Sequence, residues 1–595
     1  MDIQKFIADL NDRGVFLWKA DENLRYRAGK EGIKDEDLKQ IKERKAEIME
    51  YLGSINDELT HDEAARYDEF PMTDVQSAYK LGRSSDFEYS GVGCHVYMEV
   101  EYDELDAAKA ERIWNKLIRR HDMLRCVFLE NGKQQIKETV KEFKIPFENI
   151  GSDEEKLAKI REELGHKVYD LSDFPLYDIC ISKTADKFIM HISMELIIAD
   201  WVSISLLLDE FDRLYKDENC ELPEIEVTFR DYQMLEMKNL NSPKYKEDEK
   251  YWLDRLADFP AAPELPLDVK EDAAARFSRY QVSLSREEWK KIKELSSQKS
   301  LTPTSAVLAV FSSVIGTWSS NEEYCINLTL LNRKMYKGVQ QLVGDFTSVS
   351  MLSVKRDNNF FESAKAIQKQ MADDLEHRMY SGVEVLREIS RRKGSASSLM
   401  PIVFTSAIGF NDMENGHLTN IGKYGISQTP QVFIDCQVMD SPAGLTVNWD
   451  VRDGVFPDGL VKDMFTAFSD MLAKLADINE NDELIADSFI PAYQMKEREE
   501  ANSVTGIHPD KQLHEYFLEQ AAARENEIAV IDEYEETTYL QLLQRVKSVA
   551  KKLSSEGVGR GDHVAVVMGK TSYQLAAVLG TLAVGAVYVP IDRVR

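Results

Sequence analysis

The sequence predicts a mixed α/β protein built from several domains, and three observations carry this. The chain has 595 residues, enough for roughly three to five domains of about 100 to 200 residues each. Between about residues 66 and 490, strand-like alternation and helix-like periodicity interleave, the pattern of helices packed on sheets. Within that stretch "DFPAAPELPL" (258–267) is too rich in proline for a regular element and divides it into two halves.

Composition narrows the function. A formal net charge of −30 and a pI near 4.9 argue against nucleic acid or an anionic membrane as partner, because both require basic patches. Hydrophobic content of 43 % is that of an ordinary soluble protein, and no transmembrane run is present. The amino end, "MDIQKFIADLNDRG", is acidic and amphipathic, without the basic region and apolar core of a signal peptide. The six cysteines are scattered without a CxxC pair, so no metal site and no disulfide framework is expected, and the protein is placed in a reducing cytoplasm.

Taken in order, residues 1–55 read as helix, hairpin, helix. Ile3, Phe6, Ile7 and Leu10 fall at helical spacing, "VFLWKADENLRYRA" is two short strands around a turn, and Leu38, Ile41, Ile48 and Leu52 mark a second helical stretch. Through "GVFLWKADENLRYRA" this segment resembles the N-terminal docking domains of non-ribosomal peptide synthetases. The resemblance implies that the hairpin captures the C-terminal tail of an upstream synthetase by strand addition. Arg25 and Arg27, at alternate positions of one strand, are candidates to pair with acids of that tail.

The stretch "FIMHISMELIIADWVSISLLLDEF" reads as strand, tight loop and helix, with Asp200 and Ser203 near the helix start as capping candidates. Condensation domains of peptide synthetases carry HHxxxDG here, and heterocyclization domains carry DxxxxDxxS. This chain has Glu195, Asp200 and Ser203, with Leu196 where the second histidine of a condensation domain stands. The acids are expected to be structural, fixing the loop through ion pairs with arginines.

Six further stretches follow the heterocyclization order around the proline-rich crossover: "FPMTDVQSAYKLGR", "RHDMLR", "TPTSAVLAVFSSVIGTW", "GDFTSVSML", "MPIVFTSAIG" and "SQTPQVFIDCQV". The resemblance implies a pseudo-dimer of two chloramphenicol-acetyltransferase-like lobes, about 66–257 and 268–490, with a tunnel between them. Asp345 of "GDFT" is expected to be a hinge or lining residue of that tunnel and "RHDMLR" a structural or tunnel-wall motif, so His121 is not expected to be a base.

The last of these stretches has a feature of its own. Alternation places Val432, Ile434, Cys436 and Val438 on one face of a strand and Gln431, Phe433, Asp435 and Gln437 on the other. A carboxylate there needs water, a partner or a cavity. In the family the matching aspartate and the threonine of the VFTS strand serve cyclodehydration, which carries over to Asp435 and Thr405. A partly desolvated carboxyl can deliver a proton to a departing hydroxyl and accept one from nitrogen. Gln431 and Gln437 are expected to line the same cavity.

Residues 491–511 read as a polar linker, and 512–595 resemble the beginning of an adenylation domain, without its phosphate-binding loop, so no ATP site is expected. The chain is therefore expected to be the front of a larger subunit that binds no cofactor itself. Its substrates would arrive on phosphopantetheine arms, from a donor carrier protein in trans and a downstream acceptor carrier. Three functions stay open: amide condensation with Cys, Ser or Thr followed by closure to a thiazoline or oxazoline, condensation alone, and a non-catalytic module that recruits carriers.

Overall fold

The computed structural model describes residues 3, 6, 7, 10, 15–20, 23–28, 35–55, 59–84, 89–240, 242–270, 275–334, 336–357, 359–409, 421–478, 484–485, 489–503 and 510–591. It divides into two compact units, Met1–Ala492 and Tyr493–Arg595. In the first unit the strands are, in chain order, β1 Val15–Ala20, β2 Asn23–Ala28, β3 Phe70–Pro71, β4 His95–Tyr102, β5 Cys126–Phe128, β6 Lys133–Ile136, β7 Phe147–Gly151, β8 Tyr177–Thr184, β9 Phe188–Glu195, β10 Phe277–Ser285, β11 Glu323–Leu331, β12 Thr347–Lys355, β13 Ile402–Ala407, β14 Ile421–Gln428, β15 Ile434–Ser441 and β16 Gly444–Arg452.

The amino-terminal hairpin pairs β1 with β2, setting Trp18 opposite Arg25 and Phe16 opposite Arg27. The side chains of Arg25 and Arg27 lie outside the described residues. The second helical stretch is two helices, Asp35–Glu43 and Lys45–Ile55, parted at Arg44. Phe6, Ile7, Leu10, Val15, Leu17, Ile41 and Ile48 form a hydrophobic core of their own.

Two large sheets follow, of strand order β14-β4-β9-β8-β7 and β10-β16-β15-β13-β11-β12, beside a small sheet β3-β6-β5. Each large sheet packs the apolar face made by period-2 alternation against helices. Val96, Met98, Met190, Ile192 and Met194 pack with residues of helices Ala107–Arg120 and Trp201–Lys216. In the other lobe Phe404, Ile434, Cys436, Val438 and Trp449 pack with residues of helices Pro303–Trp318 and Leu460–Leu475. A hairpin followed by a helix recurs in both, β8–β9 then Trp201–Lys216, and β15–β16 then Leu460–Leu475. This repetition is the expected pseudo-dimer.

The lobes are not, however, the two halves of the chain. Strand β14 belongs to the second half yet pairs with β4 at the edge of the first lobe's sheet. Val339, Leu342, Val343 and Phe346 also sit in the first lobe's core, with Phe346 edge-on to Phe229 at 5.1 Å between ring centroids. The division at the proline-rich crossover marks a place in the sequence; in space, apolar residues beyond it find their burial in the first lobe.

A second tie lies at the start of helix Trp201–Lys216. Asp200 Oδ1 accepts from Ser203 N–H at 2.7 Å as the N-cap and from Arg333 Nη2 at 3.1 Å. Ser203 Oγ donates to the Gly344 carbonyl at 2.8 Å and accepts from Gly344 N–H at 3.0 Å. Asp200, Ser203 and Asp345 are thus buried together where the segment 333–346 meets the first lobe.

The second unit holds helices Leu513–Ala523, Tyr539–Ser555 and Ser572–Ala583. Strands β17 Ile528–Ile531 and β18 Glu536–Thr538 are antiparallel, and β19 His563–Val567 and β20 Val587–Ile591 are parallel. Leu542, Val546 and Ala576 form its core. Inside the expected linker the structure places a helix, Ala492–Asn502, with no buried residue. Among the described residues no single helix is long and apolar enough to cross a membrane.

Replacing Asp200 by Ala removes a cap worth about 1 kcal/mol and leaves Arg333, 6 % exposed, without its carboxylate, a loss of roughly 3 to 5 kcal/mol for a buried pair. Asp200→Ala should therefore lower the melting temperature of the first unit. A variant that melts like the parent and is inactive would give Asp200 a catalytic role instead.

Candidate active site

The face of the six-stranded sheet turned away from its main core carries a row of polar side chains, beside an apolar cluster that includes Cys325 and Met351. On neighbouring strands it carries Arg279 (β10), Asp450 (β16), Asp435 and Gln437 (β15), Thr405 (β13) and Thr329 (β11). Register places them side by side: Arg279 opposite Asp450, Asp450 opposite Asp435, and Thr405 beside both Gln437 and Thr329. Cys436 and Val438, between the polar residues of β15, are fully buried on the other face.

Two carboxylates facing each other on adjacent strands repel, and the site resolves this unequally. Asp450 takes the arginine: Arg279 Nε and Nη2 donate to its two oxygens, each at 2.6 Å. Asp435 receives neutral partners, Gln437 Nε2 at 2.8 Å on Oδ2 and Thr405 Oγ1 at 3.0 Å on Oδ1. Burial pushes the Asp435 carboxyl up to about 6, with Asp450 adding to the rise and Gln437 and Thr405 opposing it. A carboxyl in that range can both give and take a proton near neutral pH.

The other lobe completes the arrangement. Ser427 of β14 accepts from Gln437 Nε2 at 2.6 Å on its Oγ and donates its N–H to Asp450 Oδ2 at 2.9 Å. Its neighbour Gln428 donates to the Gly165 carbonyl at 2.9 Å. The edge strand therefore anchors the orienting amide of Gln437 from one side and the first lobe from the other.

The structure thus brings Asp435, Thr405 and Gln437 together, and it leaves Gln431 elsewhere. Strand β15 begins only at Ile434, and Gln431 occupies a turn at φ 62°, its N–H bonded to the Tyr89 carbonyl at 3.2 Å. Extending alternation back through "TPQVF" fails because Pro430 and the left-handed residue after it break the extended backbone, and Phe433 is core. Arg279, Asp450, Thr329 and Ser427 were not singled out by sequence. For Asp450 the signal was available, since "LTVNWDVR" is another apolar strand interrupted by an acid.

The remaining candidates make no hydrogen bond to this pair among the described residues. Glu195, at the end of β9, is buried with Arg83 Nη1 at 3.0 Å, and Arg83 Nη2 donates to the Tyr169 carbonyl at 2.6 Å. Burial pushes the Glu195 carboxyl up to about 7 against the pull of Arg83. A β-carbon added at Gly93 would lie 2.5 Å from Glu195 Oε1. Asp345 accepts from Thr347 N–H at 3.0 Å on Oδ1, while Oδ2 is buried without a partner among the described residues. Burial pushes its carboxyl up to about 8. His121 is buried against Glu210 at 2.7 Å. Among the described residues no cluster of three or more His, Cys, Asp or Glu could hold a metal ion.

Comparison with known proteins follows the same division. Family models match residues 67–483 as a condensation domain, 3–53 as a TubC N-terminal docking domain and 517–594 as an AMP-binding enzyme. The pyochelin synthetase PchF of Pseudomonas aeruginosa is 34 % identical over 609 residues, covering 100 % of this chain and 33 % of its own length. The phenyloxazoline synthase MbtB of Mycobacterium tuberculosis is 32 % identical over 538 residues, covering 88 % of this chain and 38 % of its own. The chain therefore spans about a third of the length of these relatives. Among solved structures, the EpoB cyclization-docking bidomain of a non-ribosomal peptide synthetase from Sorangium cellulosum is 31 % identical with a TM-score of 0.67, covering 80 % of this chain and 98 % of that one. The synthetase FmoA3 gives 28 % and 0.68, covering 90 % and 57 %.

The contact between Gly93 and Glu195 is open to test. Gly93→Ala should destabilise the first unit by roughly 1 to 3 kcal/mol, the cost of overpacking. Glu195→Asp, whose carboxylate is shorter by one methylene, should be tolerated and should relieve most of that cost in the double variant, as read from melting curves. Additive losses would dissociate the two positions.

Proposed function

This chain belongs to the condensation-domain family, and we propose that it condenses an upstream acyl or peptidyl thioester with a carrier-bound Cys, Ser or Thr and then closes a thiazoline or oxazoline ring. The observation that carries this reading is the Asp435 carboxyl, held near neutrality and bonded to Thr405 on the polar face of the sheet. The likeness to a phenyloxazoline synthase and to a cyclization-docking bidomain supports it.

The chemistry balances through this one carboxyl. The acceptor amine attacks the donor thioester, expelling the donor thiol and leaving an amide. The acceptor's side-chain sulfur or oxygen adds to the amide carbon, which then bears a hydroxyl beside the ring N–H. A proton from Asp435 lets the hydroxyl leave as water. The carboxylate then takes the proton from nitrogen as the C=N bond forms, so Asp435 ends as it began. Thr405 orients the carboxyl, and Gln437 fixes its other oxygen.

Mass spectrometry of a reaction reconstituted with loaded donor and acceptor carriers separates no product, linear amide and amide minus one water. Asp435→Asn and Thr405→Ala should slow ring closure by about 10² to 10⁴, the usual worth of a positioned proton-transfer group, while linear product accumulates. Equal loss of both steps, or normal cyclisation by a folded Asp435→Asn variant, would overturn the assignment.

The amino-terminal hairpin is read as the recruiting surface for the donor protein. Its separate core and its match to a docking domain support this. Deleting residues 1–55 should leave melting of the remainder unchanged and slow turnover at low concentrations of the cognate upstream protein, with recovery at high concentration. The interaction should be salt-sensitive and roughly micromolar, as befits a small interface. Unchanged turnover at low donor concentration would remove the docking role.

A further inference from the structure

Thr405 makes two hydrogen bonds of equal length. Its Oγ1 lies 3.0 Å from Asp435 Oδ1 and 3.0 Å from Thr329 Oγ1. Thr329 is its direct neighbour on the parallel strand β11. A hydroxyl has one proton and two lone pairs, so Thr405 donates in one of these directions only and accepts in the other. We propose that Thr329 is a positioning residue for ring closure, the end of a hydrogen-bond chain Thr329–Thr405–Asp435 that reverses direction as Asp435 gives up and regains its proton.

The two states of the chain follow from donor and acceptor counting. With Asp435 as carboxylate, Thr405 donates to it and accepts from Thr329. With Asp435 as carboxylic acid, the acid donates to Thr405, whose proton turns toward Thr329. The two bonds Thr329–Thr405 and Thr405–Asp435 are made in both states, so Asp435 can lose and regain its proton while Thr405 keeps both of its partners. Both threonines are β-branched and hold few rotamers, and the strand register keeps their oxygens adjacent. No atom moves by more than a hydroxyl rotation. Removing the Thr329 oxygen leaves the reversed state without an acceptor at that end, which selectively hampers the step that uses Asp435.

This inference rests on the ring-closing role of Asp435, and the test keeps the two apart. Thr329→Val retains shape and removes the hydroxyl; Thr329→Ser restores it. In the carrier-loaded reaction Thr329→Val should slow ring closure about tenfold, the order expected for one hydrogen bond, with amide formation and melting unchanged. Thr329→Ser should recover most of the loss. In a Thr405→Ala background Thr329→Val should have no further effect, because the chain is already cut. Parental ring closure by Thr329→Val, equal loss of amide formation, or a full tenfold effect persisting without Thr405 would each overturn the role of Thr329. Asp435→Asn run alongside reports on the underlying reading: if it cyclises normally, the Asp435 mechanism itself falls, whereas impaired Asp435→Asn with normal Thr329→Val removes the positioning residue alone.

Discussion

The two-point pairing of Arg279 with Asp450 is the interaction on which the site depends. Strands β15 and β16 bring two carboxylates into direct register on one face, and a single guanidinium stands beside them. Because Arg279 spans both oxygens of Asp450 at 2.6 Å, Asp435 is left to an amide and a hydroxyl. The same residue type on adjacent strands thus acquires two characters. One is clamped at both oxygens by a guanidinium; the other is a carboxyl displaced toward neutrality by burial. Exchanging the partners would exchange the characters, so the fold decides which carboxyl is displaced by where it puts the arginine.

What surrounds that pair follows from the same unequal sharing. Gln437 must present its amide nitrogen to Asp435, and it is held so by Ser427 and by Arg279, which approaches Gln437 Oε1 at 3.4 Å. Ser427 comes from the strand that the second half of the chain lends to the first lobe's sheet. The orientation of the Asp435 carboxyl is therefore set by contacts from two lobes, and Tyr97, Phe277 and Ile426 pack together at that junction. Glu195 and Asp200 lie in the first lobe's own framework and serve it through Arg83 and Arg333.

Local chemistry was legible in the sequence, and long-range pairing was not. The acid in "FIDCQV" stands out because a charge on an apolar strand demands an explanation, and Asp200 could be read as a cap because capping is decided within three residues. Arg279 lies 171 positions from Asp450, and nothing in "FSRYQVSLS" specifies which acid it meets. Gln431 shows the opposite limit: period-2 alternation holds in the letters of the sequence beyond the point where Pro430 and a left-handed residue keep the backbone from being a strand. The lobes, too, look separate along the chain because a proline-rich crossover is visible there, while burial of Phe346 and pairing of β14 have no marker that sequence periodicity can reveal.

That lent strand has a consequence for anyone who would recombine synthetases. A chimera joined at 258–267 would receive, with its new second half, a foreign edge strand for the first sheet and foreign plugs at Val339, Leu342 and Phe346 for the first core. The hydrophobic fit of one parent would then be judged against the other's at two remote places, however smooth the splice. A cut that respects the molecule has to follow its woven topology, treating residues 333–346 and 421–428 as cargo of the amino-terminal lobe even though they are encoded after its partner has begun.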